Sequence, residues 1–105
     1  GLGDVYKRQA VFCMSDIMAV GAMRALTDAG LRVPQDISVL GFDGIELGQY
    51  AVPRLATVSQ PQQEIADQSV ALLLGQIEKA APPQTRVVST GLLEGESVAS
   101  VTSDI

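Results

Sequence analysis

The sequence predicts an α/β fold with a mostly parallel sheet and flanking helices. Residues 37–40 (Ile-Ser-Val-Leu) and residues 10–13 (Ala-Val-Phe-Cys) are short, largely apolar runs. Such runs are typical of strands that a parallel sheet buries on both faces. A helical pattern lies between them and ends at Gly30, a residue type that suits a helix stop. Strand, helix and strand therefore form one βαβ unit, which is right-handed in nearly all folds.

The first helix is expected to begin at Ser15 or Asp16, because either side chain can accept hydrogen bonds from the free N–H groups of a first turn. The spacing of apolar residues then predicts one buried face. That face would consist of Ile17, Val20, Met23, Ala25 and Leu26, with Arg24 and Asp28 left to solvent.

Residues 44–53 form an irregular stretch that is too apolar for an ordinary solvated loop. Its apolar members are Ile45, Leu47, Tyr50 and Val52. Two interpretations stay open for them, which are packing against the sheet and contact with another subunit.

The second half of the chain alternates short extended pieces with one long helix. Residues 55–59 are a strand candidate, and Pro61 suits the first turn of the helix that follows. Pro82 and Pro83 end that helix. Residues 86–89 and 92–98 are predicted to be extended, and residues 100–105 form a tail without periodicity.

Composition narrows the functional classes. The 105 residues are 47% hydrophobic, enough for one small core, and seven basic against twelve acidic residues leave a net charge of −5. No Lys/Arg cluster of the kind that binds DNA is present. The chain has no His and one Cys, and it lacks a nucleophile–base pair or metal-ligand spacing. We therefore expect neither an enzyme nor a metal or cofactor site, and no apolar run is long enough to span a bilayer.

Residues 1–9 differ from the rest in composition and pattern. Asp-Val-Tyr-Lys-Arg-Gln at residues 4–9 resembles a translated adapter used to make sequencing libraries. We interpret residues 1–9 as an artefactual lead-in, the alternative being a genuine polar segment. The chain would then be a fragment of a longer protein that begins upstream of Ala10.

Several motifs together resemble the effector-binding domain of the lactose- and galactose-repressor family of bacterial transcription regulators. They are Ser-Asp at 15–16, Ala-Val-Gly-Ala at 19–22, Val-Pro-Gln-Asp-Ile-Ser-Val-Leu-Gly-Phe-Asp at 33–43, Pro-Arg-Leu-Ala-Thr at 53–57, Gln-Pro at 60–61 and Glu-Gly-Glu-Ser-Val at 94–98. Nearly everything after residue 9 is covered. Three positions depart from the family's pattern: Gly44 replaces an acidic or amide residue, Arg54 and Ala56 alter the usual Pro-Pro-Leu-Thr-Thr, and Gly95 replaces an Arg.

The resemblance implies a periplasmic-binding-protein-like type I domain, in which a ligand cleft lies between two α/β subdomains joined by three chain crossings. Residues 10–99 would be part of this domain. Residues 10–59 would belong to the C-terminal subdomain, residues 60–90 to the N-terminal subdomain and residues 91–99 to the return crossing. The family's DNA-binding head, which precedes this domain, would be absent from the chain.

Asp43 is the strongest candidate for ligand contact. It follows a predicted buried strand, and ligands of open α/β sheets bind beyond the carboxyl ends of the strands. A carboxylate can accept hydrogen bonds from two hydroxyls of a sugar or ribose ring, and the family uses the matching position for such contacts. The alternative is a loop Asp that caps local backbone N–H groups.

Further candidates match positions that the family uses. Ser15, Asp16 and Gln60 are possible ligand contacts, against helix capping for the first two and a hinge role for Gln60. Tyr50 and the helix face around Met23 match the family's dimer interface, the alternative being simple packing in the core. Phe42 and Met14 are expected in the core.

The resemblance implies a cytoplasmic, homodimeric repressor whose effector is a sugar- or nucleoside-like molecule. Operator DNA would be bound only through the missing head, and no membrane would be involved. The alternative is a fragment of a periplasmic sugar-binding protein that feeds a transporter, because both classes share this fold.

Overall fold

A computed structural model describes residues 10–100, so residues 1–9 and 101–105, and the lead-in and tail predicted there, lie outside the described residues. In chain order the elements are β1 (Ala10–Phe12), α1 (Asp16–Asp28), β2 (Ser38–Asp43), a 3-10 helix (Glu46–Tyr50), β3 (Ala56–Ser59), α2 (Gln62–Lys79) and β4 (Gly91–Leu93).

The strands form one sheet in the order β1-β2-β3-β4. β1 pairs in parallel with β2, and β2 pairs in parallel with β3. Helix α1 connects β1 to β2, so the predicted βαβ unit is confirmed, and with it the α/β fold with a mostly parallel sheet.

Helix α1 begins and ends where the sequence predicts. Ser15 is the N-cap, and its Oγ accepts a hydrogen bond from Met18 N at 3.2 Å. Asp16 is the first helical residue, so of the two proposed caps the structure selects Ser15. The helix ends before Gly30, whose φ of +84° suits a residue without a Cβ.

The core lies between α1 and one face of the sheet. Its buried members are Cys13, Ala19, Met23, Val39 and Leu55. The expected apolar face of α1 is partly wrong. Ile17 and Ala25 are exposed, while Asp16, Ala19 and Met23 are the buried positions. The apolar spacing gives the helical period, but Ala19 and the polar Asp16 set which side faces the sheet.

The opposite face of the sheet is open within the described residues. A cavity of about 640 Å³ lies against it, lined mainly by apolar side chains. Phe12 is exposed there, and its ring meets the ring of Phe42 edge to face at 6.4 Å. Strand β2 was expected to be buried on both faces. It is buried on the face that packs against α1, but Leu40 and Phe42 on the other face are only half-buried.

The segment after β4 returns to bond with β2 and β3. Ser97 is fully buried; its Oγ donates to Val39 O at 2.6 Å and accepts from Ala56 N at 2.8 Å. Gly95 lies directly on the backbone before β3, where an added Cβ would be 2.6 Å from Arg54 O and Ala56 N. This close approach is possible because position 95 carries no Cβ.

The described residues divide into two compact units, of which Gln60–Gly91 is the smaller and the rest form the larger. The smaller unit contains α2, which has no buried residue and exposes Val70, Leu73 and Ile77. The strand expected at residues 86–89 is wrong, because no strand forms there. A strand needs a partner for its backbone groups, and the described part of this unit offers none.

Candidate ligand-binding site

The candidate site is the edge of the larger unit at which its parallel strands end. β1 ends at Phe12, β2 at Asp43 and β3 at Ser59, and Asp43 and Ser59 are register partners. Cys13 N continues the β1–β2 pairing with a hydrogen bond to Leu40 O at 2.8 Å. Parallel strands bring their carboxyl ends to one edge, which is where open α/β sheets bind ligands.

Asp43 is half-buried at this edge and has an unusual backbone conformation. Its φ is +132°, a region that side-chain-bearing residues rarely adopt. Residues held in such regions cost of order 1–3 kcal/mol and are concentrated at active sites and ligand clamps. The conformation therefore favours a functional role for Asp43.

Asp16 lies beneath this edge and is fully buried. Its Oδ2 accepts hydrogen bonds from Gly44 N at 2.8 Å and Ile45 N at 2.7 Å. Its Oδ1 accepts from Thr57 Oγ1 at 2.6 Å. The carboxylate thus links the start of α1 to the turn after β2 and to β3, and a ligand could reach it only if these bonds opened.

Two glycines make this arrangement possible. A Cβ on Gly41 would collide with Asp16 Oδ1 and would lie 3.0 Å from Leu55 Cδ2. Gly44 has a φ of +82°, and a Cβ there would lie 2.9 Å from Ser59 Cβ. A side chain at position 44 would therefore be strained in its backbone conformation and crowded against Ser59.

Ser15 is half-buried at the carboxyl end of β1, the strand next to β2. Its Oγ accepts one hydrogen bond as the cap of α1. A hydroxyl has one donor and two acceptor positions, so this Oγ keeps capacity for a second partner. Capping and ligand contact are therefore compatible at Ser15.

Three further predicted residues are Gln60, Met23 and Tyr50. Gln60 is the first residue of the smaller unit and is half-buried there. Met23 is 4% exposed and packs in the core, so within this chain its side chain offers almost no surface to a partner. Tyr50 is 73% exposed, and its hydroxyl donates to Glu46 Oε1 at 3.1 Å.

Sequence reasoning missed two residues at this edge. Ser59, treated as part of a strand, stands beside Asp43 in the register. Because Ser59 directly precedes Gln60 and Pro61, the sequence could have shown that it ends its strand. Met14, expected in the core, is 80% exposed next to Ser15, because β1 has already ended. The core prediction for Met14 is wrong.

The chemistry of this edge is that of hydrogen bonding. Asp43 supplies carboxylate oxygens, and Ser15 and Ser59 supply hydroxyls. Among residues 10–100, no three His, Cys, Asp or Glu side chains are grouped in a way that could hold a metal ion. Neither helix of this described range combines the length and apolarity that crossing a membrane requires.

Comparison with known proteins gives a consistent family. The model of the periplasmic binding protein-like domain family matches residues 3–98. The matched range begins inside the nine residues interpreted above as a lead-in. The HTH-type transcriptional repressor PurR of Yersinia enterocolitica serotype O:8 / biotype 1B is 45% identical over 99 residues, which cover 93% of this chain and 29% of that protein. The chain thus spans less than a third of this relative's length.

Solved structures of transcription regulators are also similar. A transcriptional regulator CelR–cellobiose complex is 34% identical with a TM-score of 0.81, covering 85% of this chain and 28% of that one. A lac repressor dimer bound to operator and the anti-inducer ONPF is 32% identical with a TM-score of 0.82, covering 94% of this chain and 35% of that one.

Proposed function

Because the chain belongs to the periplasmic binding protein-like domain family, we propose that it is part of the effector-sensing domain of a DNA-binding transcriptional repressor. Its effector would be a sugar- or nucleoside-like molecule bound at the edge where Asp43 lies. The similar proteins named above are transcription regulators and not enzymes, which supports this proposal. Operator contact would come from a head outside residues 10–100.

The conformation of Asp43 is the observation that carries the proposal. A non-glycine residue at a φ of +132°, at the carboxyl end of the central strand of a parallel trio, is a costly arrangement. In the proposed site, its carboxylate would accept hydrogen bonds from hydroxyl groups of a ring. Hydrogen bonds to a charged group are the stronger ones, so such a ring would be bound firmly.

Neighbouring polar groups would complete the contacts. Ser15 can donate from its hydroxyl while it caps α1, and Ser59 adds a second hydroxyl beside Asp43. An effector with several hydroxyls fits this set better than an apolar one.

The repressor would act as a cytoplasmic homodimer. Tyr50 is an exposed aromatic ring, a residue type enriched at protein interfaces. The region around Met23 would contribute through the exposed neighbours of that buried side chain on α1, among them Arg24. Binding of effector would alter operator affinity to the extent that the effector has different affinities for two domain arrangements.

The test is calorimetry on the full-length protein, with cellobiose, lactose, D-ribose and adenosine as probes. We expect one probe to bind, and Asp43→Ala to weaken it by about 1.5–3 kcal/mol, the range for a hydrogen bond to a charged group. Unchanged affinity in a folded variant would show that Asp43 does not contact the effector and only caps local backbone N–H groups. An export signal upstream in place of a helix-turn-helix would contradict the repressor assignment.

A further inference from the structure

We propose that Asp16 is a positioning residue for the effector site, which fixes Asp43 from below without contacting the ligand. This inference rests on the proposed function of Asp43. It assigns to Asp16 a role different from direct binding, and the two roles predict different behaviour of the same variants.

The contacts of Asp16 reach the two residues that follow Asp43. Gly44 N and Ile45 N both donate to Oδ2, at 2.8 and 2.7 Å. Both bonds have an ionisable acceptor inside the protein, and hydrogen bonds to a carboxylate are roughly twice as strong as neutral ones. The peptide groups immediately beyond Asp43 are thus held at two consecutive points.

The other oxygen of the Asp16 carboxylate is bonded to β3, and the residue itself belongs to α1. Asp16 is the first residue of α1, and its Oδ1 accepts from Thr57 Oγ1 in β3 at 2.6 Å. The side chain is fully buried, and Gly41 leaves it the space that a Cβ would occupy. Asp16 therefore connects the turn after β2 to two elements that cannot move independently of the core.

The backbone of Asp43 needs such support. Its φ of +132° persists only where the surroundings determine it, because a free chain would relax to a negative φ. The bonds from Gly44 N and Ile45 N restrain the two residues that directly follow that torsion. If they are lost, the Asp43 carboxylate leaves the position in which a ring hydroxyl can reach it.

Two substitutions of Asp16 separate positioning from direct contact. In Asp16→Asn the amide can turn so that its oxygen accepts from Gly44 N and Ile45 N while its NH2 donates to Thr57 Oγ1. In Asp16→Ala both N–H groups lose their acceptor. Positioning requires the Asn variant to retain function and the Ala variant to lose it, whereas direct contact through a charged oxygen requires both to lose it.

The first experiment needs no ligand. Amide hydrogen exchange of the full-length protein is followed by mass spectrometry in a peptide that contains Gly44 and Ile45. We expect exchange there to be at least tenfold faster in Asp16→Ala and within about threefold of the parent in Asp16→Asn. Ser97→Ala is the matched control, since it also removes a buried side chain that is hydrogen-bonded to the sheet but leaves Gly44 and Ile45 bonded. Unaltered exchange in a folded Asp16→Ala protein would overturn the proposal.

The second experiment is calorimetry with the probe, among cellobiose, lactose, D-ribose and adenosine, that the parent protein binds. We expect Kd to rise at least tenfold in Asp16→Ala, to stay within about threefold in Asp16→Asn, and to be unchanged in Ser97→Ala. Equal losses in the Ala and Asn variants would show direct contact instead. If Asp43→Ala leaves Kd unchanged, the proposed function fails, and the exchange experiment still decides whether Asp16 fixes the turn.

A further variant covers the case in which Asp16→Ala does not fold. Ile45→Pro leaves the carboxylate in place but removes one of its donors, and the φ of Ile45, −73°, is already suited to proline. We expect it to raise Kd at least tenfold in a folded protein. An unchanged Kd would contradict the positioning role.

Discussion

Ser97 and Val39 are hydrogen-bonded twice although 58 residues separate them. Val39 N donates to Ser97 O at 2.8 Å, and Ser97 Oγ donates to Val39 O at 2.6 Å. The same Oγ accepts from Ala56 N, so one buried hydroxyl ties the returning segment to two strands. The sheet that carries the candidate site is therefore fixed at its other end by residues from the last part of the chain.

Ser97→Ala should lower the free energy of unfolding by about 1–3 kcal/mol, because it leaves the buried Ala56 N–H without an acceptor. The measurement is the urea midpoint of the full-length protein. Ser100→Ala, in the same segment but exposed, should leave the midpoint nearly unchanged. Equal midpoints for the two variants would show that the hydrogen bonds of Ser97 make no net contribution to the free energy of unfolding.

Gly44→Ala should destabilise the protein by about 1–3 kcal/mol, since alanine is strained at a φ of +82° and its Cβ would press on Ser59. It should also weaken effector binding, because the turn after Asp43 must shift. Gly21→Ala is the control: this helical glycine has open space around it, and alanine there should stabilise by about 0.5–1 kcal/mol. A Gly44→Ala protein as stable as the parent would refute the close approach to Ser59.

The Cys13 thiol should react slowly in the folded protein. Burial raises the pKa of Cys13 above its ordinary value of 9.0, and the thiolate is the reactive form. We expect alkylation at pH 8, followed on the Cys13 peptide by mass spectrometry, to be at least tenfold faster in urea than in buffer. Equal rates would contradict burial of the thiol.

The raised pKa of Cys13 also makes the stability of the protein depend on pH. The unfolded thiol loses its proton near pH 9, while the folded thiol retains it to higher pH. As pH rises above 9, the unfolded state is therefore favoured. The stability that the protonated Cys13 thiol contributes is fully present below pH 9 and declines above it. Cys13→Ala should lose less stability than the parent protein as pH rises. We therefore expect its urea midpoint to change less between pH 8 and 10.

Residues 10–105 expressed alone should be aggregated or molten. Helix α2 buries none of its residues, and the sheet face that carries Phe12 is open within the described part of the chain. Parallel sheets are stable when both faces are covered. Size-exclusion chromatography and urea unfolding, followed by circular dichroism and tyrosine fluorescence, test this. A monodisperse monomer with one coincident transition would show a self-sufficient domain.

Local pattern predicted most of the elements and the edge of the sheet at which Asp43 lies. The apolar runs before Cys13 and Asp43, the Ser15 cap and the Gly30 stop depend on neighbouring residues, so the sequence displays them directly. The position of Asp43 at this edge was predictable because it follows a buried strand. The assignment of Asp43, Ser15, Gln60 and Tyr50 to ligand or partner contacts stays a prediction.

Features that depend on distant residues could not be predicted. The bonds of Asp16 join residues 28 to 41 positions away, and nothing in its local sequence distinguishes it from an ordinary first-turn acid. Residues 86–89 have the composition of a strand, but pairing depends on a neighbour that local pattern does not reveal. Ile17 fits the apolar period of α1, yet the helix turns Asp16 and Ala19 inward instead.

The return of Ser97 to β2 and β3 also has a consequence for biosynthesis. The ribosome completes β3 about 40 residues before it adds Ser97, a delay of roughly 2–8 s at about 5–20 residues per second. During that interval Val39 N–H and Ala56 N–H await their acceptors, and the nascent sheet is open at one end. Any pause in translation between Ser59 and Ser97 would lengthen this interval, in which chaperones and proteases compete with folding for the same chain.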